Sequence, residues 1–180
     1  MKLLDAMIGW IAPAVCVACG SEGSSLCAVC QEVEIAPYGA KCWHCGQLGP
    51  NSAACATARR NGSPRYVWVG TDYEATAKKL IQTYKYNHQR TAVEAIATLM
   101  ADAFADYNSD AAIAAKDYLI VPLPTASSRV RERSFDHSAL LAAHLSYRLK
   151  LARSNLLCRF GQSRQVVSPR QARLHQLEEQ

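Results

Sequence analysis

Seven of the eight cysteines fall between positions 16 and 55, and their spacing is that of a metal-binding framework. Cys16-Val-Ala-Cys19-Gly20 and Cys42-Trp-His-Cys45-Gly46 are each a Cys-x-x-Cys-Gly turn, and Cys27-Ala-Val-Cys30 is a third pair. Such a turn brings two thiolates to one tetrahedral ion, and the glycine after it takes the positive φ that the turn needs. Cys16, Cys19, Cys27 and Cys30 therefore supply a closed four-thiolate set, the donor set of a structural Zn2+. In a secreted chain this density would mean disulfides. The first eleven residues do not read as a secretory signal, because Asp5 interrupts their apolar stretch, so a reducing, cytoplasmic setting and zinc are the expectation.

The second set is incomplete. Cys42, Cys45 and Cys55 give three ligands, and the position three residues beyond Cys55, where Cys30 stands relative to Cys27, is Ala58. Either His44 or a residue distant in sequence completes a three-cysteine, one-histidine site, or this half has lost its metal. His44 lies inside the turn, an awkward origin for a fourth ligand. Cys158, alone in the other half of the chain, reads as a small buried hydrophobe. Trp43 beside the turn is a packing residue or, less simply, a platform for base stacking.

The other chemistry-bearing stretch is Tyr118 to His137. Tyr118-Leu-Ile-Val is an apolar run stopped by Pro122 and Pro124, as in a strand buried on both faces. A small-residue loop, Thr125-Ala-Ser-Ser, follows it. Arg129, Arg131 and Arg133 come next, before Asp136, a good N-cap for the helical run Ala139, Leu140, Ala143, Leu145 and Leu149. Clustered guanidinium groups between a strand end and a helix start can hold a phosphate or a nucleic-acid backbone; arginines in such a place are otherwise simply solvated.

Pro-x-Pro followed by Arg-x-Arg-x-Arg-x-Phe-Asp-His and a Leu/Ala-rich helix resembles the ComF family, where a Val-Pro-x-Pro strand end precedes Arg-x-Arg-Gly-Phe-Asn-Gln. Here Ser134 stands for the glycine, Asp136 for the asparagine and His137 for the glutamine. The resemblance extends from the cysteine-rich head to the end of the chain, with Lys78, Lys79 and Lys85 in matching places and Gln165 and Arg173 loosely aligned. It implies a double zinc ribbon followed by a type I phosphoribosyltransferase-like domain. It also implies a link to DNA uptake in competence, handling of single-stranded DNA, a partner in the competence machinery and binding of phosphoribosyl pyrophosphate. Such folds grip that substrate with an acidic pair followed by Thr-Thr-Gly. The only adjacent acidic pair here is Glu178-Glu179, with no glycine after it, so the chain resembles a C-terminally shortened member. No catalytic residue is assigned, and no transferase turnover is expected of this polypeptide alone. The alternative is a non-catalytic zinc-ribbon adaptor binding nucleic acid or a protein partner.

The elements that must position these groups are readable from periodicity. Leu3, Leu4, Met7, Ile8 and Ile11 fall at helical spacing. Residues 56–65 are rich in turn signals, Asn61-Gly62 and Ser63-Pro64, which divides the chain into a head, 1–58, and an α/β domain, 66–180. Tyr66-Val-Trp-Val-Gly reads as a strand, and Thr71 or Asp72 as the cap of a helix carrying Leu80, Ile81 and Tyr84 and ending near Lys85. Val93, Ile96, Ala97, Met100 and Phe104 mark a helix over 91–106, and Ser168-Pro169 opens a last one through Leu174 and Leu177. The order of strands and helices predicts an α/β class with a parallel sheet: a small cysteine-rich zinc ribbon, then an incomplete phosphoribosyltransferase-like domain.

Composition narrows the rest. At 180 residues, 49% hydrophobic and 19% charged, the chain can bury a core. The formal charge is +5, and the surplus sits in residues 116–180, which hold 11 Lys+Arg against 5 Asp+Glu. That half attracts phosphorylated or nucleic-acid ligands. No run approaches the roughly 20 apolar residues of a membrane span. A zinc hydrolase is disfavoured, because an all-thiolate site is closed.

Overall fold

The computed structural model describes residues 13–39, 42, 44–47, 55–57, 64, 66–87, 89–108 and 118–159. The helix expected at residues 3–11, Trp43, most of the linker, the helix expected from Pro169, Gln165 and Arg173 lie outside the described residues.

Five helices and a two-stranded parallel sheet appear among the described residues. In chain order they are α1 (Ala28–Glu34), α2 (Ala75–Tyr86), α3 (Ala92–Asn108), β1 (Leu119–Ile120), α4 (Ser127–Arg133), α5 (His137–Leu149) and β2 (Ala152–Arg153). The sheet is parallel, with Leu119 opposite Ala152 and Ile120 opposite Arg153, so β1, α4, α5 and β2 form a strand–helix–strand unit. None of these helices is long and apolar enough to cross a membrane.

The core lies where the helices meet. Leu80, 1% exposed, and Tyr84 project from α2 against Ala92 and Val93 of α3, as their spacing requires. Burying two such side chains removes apolar area worth about 1.5–3 kcal/mol each. The head joins this same core: Cys16, Leu26, Cys30 and Ile35 are buried together with Leu80, Tyr84 and Val93. Helix α3 in turn packs along α5, which ties the arginine-bearing unit to the rest.

Several expectations change. Tyr118–Val121 does not lie buried on both faces; the ladder is confined to Leu119–Ile120, and Leu119 is 47% exposed. β1 has one sheet neighbour among the described residues, and its partner β2 carries no apolar run to announce it. Residues 67–70 form no ladder. The segment is held by rings instead, with Trp68 edge-on to Phe104 at 5.4 Å and Phe104 edge-on to Tyr118 at 5.1 Å. Helix α2 starts at Ala75 with Glu74 at its cap and no side-chain cap bond, because a turn with Glu74 N–H on the Asp72 carbonyl comes first. The arginine stretch is a short helix, α4, rather than a loop. Cys158 is exposed, not a buried hydrophobe, since it lies in the exposed segment beyond β2 beside the exposed Leu156 and Leu157.

Candidate metal centre and basic cluster

The first knuckle sits at the tip of a small hairpin closed by the Val15–Glu22 bridge. Gly20, at φ +79°, turns the chain so that its N–H reaches the Cys16 carbonyl at 2.9 Å, and Cys16 N–H returns to the Ser21 carbonyl at 2.8 Å. The second pair comes from a helix start: Cys27 caps α1, its Sγ accepting from the Cys30 N–H at 3.5 Å. Knuckle and helix start together bring the four sulfurs of Cys16, Cys19, Cys27 and Cys30 within 4.8 Å of one another.

These donors fit a tetrahedral cation. A Zn–S bond of about 2.3 Å sets sulfur–sulfur edges of about 3.8 Å, and Cys19 Sγ lies 3.7 Å from Cys27 Sγ. The titration pattern agrees. Burial pushes the Cys16 thiol up, but the backbone N–H groups around it, those of Cys19, Cys27 and Ala18, outweigh this and hold it at about 6. The side chains of Cys27 and Cys19 push the Cys30 thiol well above its usual range. Four thiols this close cannot all ionise without a positive charge among them, which is what a divalent cation supplies. The identity of the metal rests on the donor set: four soft thiolates in a closed site favour zinc.

The second cluster repeats three hydrogen bonds of the first. Gly46, at φ +72°, places its N–H on the Cys42 carbonyl at 2.8 Å, and Cys42 N–H reaches the Gln47 carbonyl at 2.8 Å. Cys55 N–H points at Cys42 Sγ from 3.4 Å, as Cys27 N–H points at Cys16 Sγ from 3.5 Å. Residues 56–57 are helical, as are the residues after Cys27. The sulfurs of Cys42, Cys45 and Cys55 lie within 4.8 Å of one another. Backbone N–H groups of Cys45, Cys55 and His44 hold the Cys42 thiol at about 6. The sequence showed the cysteine spacing; the shared hydrogen-bond scheme became visible only with coordinates.

The three arginines are not equivalent. Arg131 is exposed, and Arg129 pairs with Glu132 at 2.7 Å on the same helix, an exposed contact of little strength. Arg133 is 7% exposed; its guanidinium stacks 5.3 Å from the Tyr86 ring centre and its Nη1 meets His137 Nδ1 at 2.9 Å. Lys85 is half-buried beside it, and burial, then the Arg133 charge, lower its pKa. Lys78 and Lys79 are exposed, a wet helix face. Sequence reasoning missed Arg90, whose Nη2 donates to the Ser134 carbonyl at 2.8 Å while its guanidinium lies 5.1 Å from the Phe135 ring centre. Its place at the end of a helix-connecting turn gave no local signal.

Asp136 fixes the entry to α5. Its Oδ1 accepts from the N–H groups of Ser138 at 3.0 Å and Ala139 at 3.1 Å and from the Thr125 hydroxyl at 2.8 Å, so the loop after β1 and the helix share one anchor. The arrangement places positive groups beside a strand end and a capped helix, and Phe135 of this stretch packs against the core that buries Cys16 and Cys30. Comparison with family models, with curated proteins and with solved structures gives no match.

Proposed function

We propose that the chain is a ComF-like protein: a zinc-stapled α/β scaffold of phosphoribosyltransferase-like type that binds phosphate-bearing ligands, single-stranded DNA among them. In this reading it acts in the cytoplasm, in the uptake of DNA alongside other competence proteins. The observation that supports it best is the β1–α4–α5–β2 unit, in which Pro122 and Pro124 lead the chain out of a parallel strand directly into the arginine helix. In parallel α/β units ligands bind beyond the carboxyl ends of the strands, which is where this helix sits.

The residues divide the work. Arg131, exposed, and Arg129, partly exposed, take the phosphates, Lys85 adds charge from α2, and Arg133 holds α4, α2 and α5 together through Tyr86 and His137. Zinc, when bound, supplies the charge that lets four thiolates close the head onto the core. No acidic pair followed by Thr-Thr-Gly occurs in residues 1–180, so binding without transferase turnover is the proposed outcome.

Fluorescence anisotropy with labelled single-stranded DNA at several salt concentrations tests this. Two or three phosphate contacts give a slope of log affinity against log salt of about −1.4 to −2.1, reduced in R129A/R131A. A flat salt response, or unchanged affinity in that variant, overturns the basic cluster as the contact surface. Release of pyrophosphate from phosphoribosyl pyrophosphate by the purified chain overturns the absence of turnover.

A further inference from the structure

We propose that the second cysteine cluster is a three-thiolate metal site with one open coordination position, which takes an exchangeable donor from outside the chain, a small thiol or imidazole compound, or water. Its geometry copies the first site in three hydrogen bonds: the glycine N–H on the first cysteine's carbonyl, that cysteine's N–H on the carbonyl five residues on, and an N–H aimed at the first sulfur. What the copy lacks is the fourth thiolate. Counting three residues on from Cys27 gives Cys30; counting three on from Cys55 gives Ala58.

Among the described residues no fourth donor joins the three sulfurs, His44 included. The His44 Nδ1 lies 3.9 Å from Cys55 Sγ, yet no His44 nitrogen joins the three sulfurs in the set of atoms lying within 4.8 Å of one another. Cys45 is exposed and Cys55 partly so, so two of the three sulfur-bearing residues reach solvent. Three protein ligands with a fourth, exchangeable one is the pattern of reactive rather than structural zinc. The two halves of the head thus hold metal in different ways: one closed and inert, one open to ligand exchange.

The test loads the full chain with Co2+, reads the thiolate-to-cobalt absorption, then adds imidazole; in parallel the Zn2+ form is challenged with a coloured chelator. Two ions per chain are expected, released in two phases of equal amplitude, and imidazole perturbs the spectrum of one cobalt. Ala58→Cys closes the site, so both the fast phase and the imidazole response are lost. Cys55→Ser removes the fast-exchanging ion and spares the slow one. A single ion per wild-type chain, one uniform release phase, or a cobalt spectrum that ignores imidazole would overturn the proposal. So would a His44→Ala chain that loses the second ion, because His44 would then be the fourth ligand.

Discussion

Arg133 Nη1 stands 2.9 Å from His137 Nδ1, across the junction of α4 and α5, and a guanidinium can only donate. His137 therefore accepts through Nδ1 and carries its proton on Nε2, as a neutral ring. Burial first, then the Arg133 and Lys85 charges, lower its pKa to about 4, against a smaller opposing pull from Asp136. Unfolded, the ring titrates near 6.5. Above that pH neither state is protonated and the group adds no pH dependence. As pH falls from about 6.5 towards about 4, the unfolded chain takes up a proton that the folded one refuses, so stability falls. Urea denaturation of wild type and His137→Gln at pH 7 and pH 5 isolates this: the amide oxygen still accepts from Arg133, and the variant is expected to lose less stability over that interval. Equal losses in both chains would remove His137 as the cause.

Ser134 ends α4 at φ 62°, ψ 10°, the left-handed region in which a side chain is strained and glycine is not. This is the residue that the ComF resemblance puts as glycine. Ser134→Gly is expected to raise stability by about 0.5–1 kcal/mol, read as an upward shift of the denaturation midpoint with unchanged slope. A destabilised variant would show that the Ser134 side chain makes a compensating contact.

How far these features were legible depends on whether their cause is local. Gly20 and Gly46 take positive φ, as the Cys-x-x-Cys-Gly spacing requires, and Asp136 caps α5, as its place before an apolar-periodic run requires. Leu80 and Tyr84 are buried because their spacing puts them on one face of α2. Other features come from distant partners. Ala152–Arg153 is a strand only because Leu119–Ile120 lies beside it, and a two-residue polar strand leaves no alternating pattern. The three arginines look alike in sequence; Arg133 is buried because Tyr86 meets it from α2 and His137 from the start of α5. The four-thiolate set was readable from spacing, whereas the junction of head and core, Cys30 beside Leu80 and Val93, was not.

The Asp136 anchor gives a graded test of the loop after β1. Asp136→Ala removes the acceptor of two helix N–H groups and of the Thr125 hydroxyl together, and is expected to cost about 1–2 kcal/mol. Asp136→Asn keeps an acceptor oxygen at the cap and is expected to cost little. The two variants separate capping from charge in thermal or urea melts. If both lose equally, the carboxylate charge rather than the cap geometry holds the helix start.

Metal removal reaches beyond the head, because the first cluster shares its core with α2 and α3. A structural zinc site contributes on the order of 10 kcal/mol to folding, comparable with the whole stability of a typical domain, about 5–15 kcal/mol. Chelation, or Cys27→Ser, is therefore expected to abolish the cooperative unfolding transition and the near-ultraviolet dichroism of buried Tyr84 and ring-packed Trp68, not only the order of residues 14–35. Lower pH acts in the same direction, since the thiolates must lose their protons to bind the ion. Circular dichroism beside elemental analysis of zinc decides it: a metal-free chain that keeps a cooperative melt and its aromatic signal would show that the helices fold without the head.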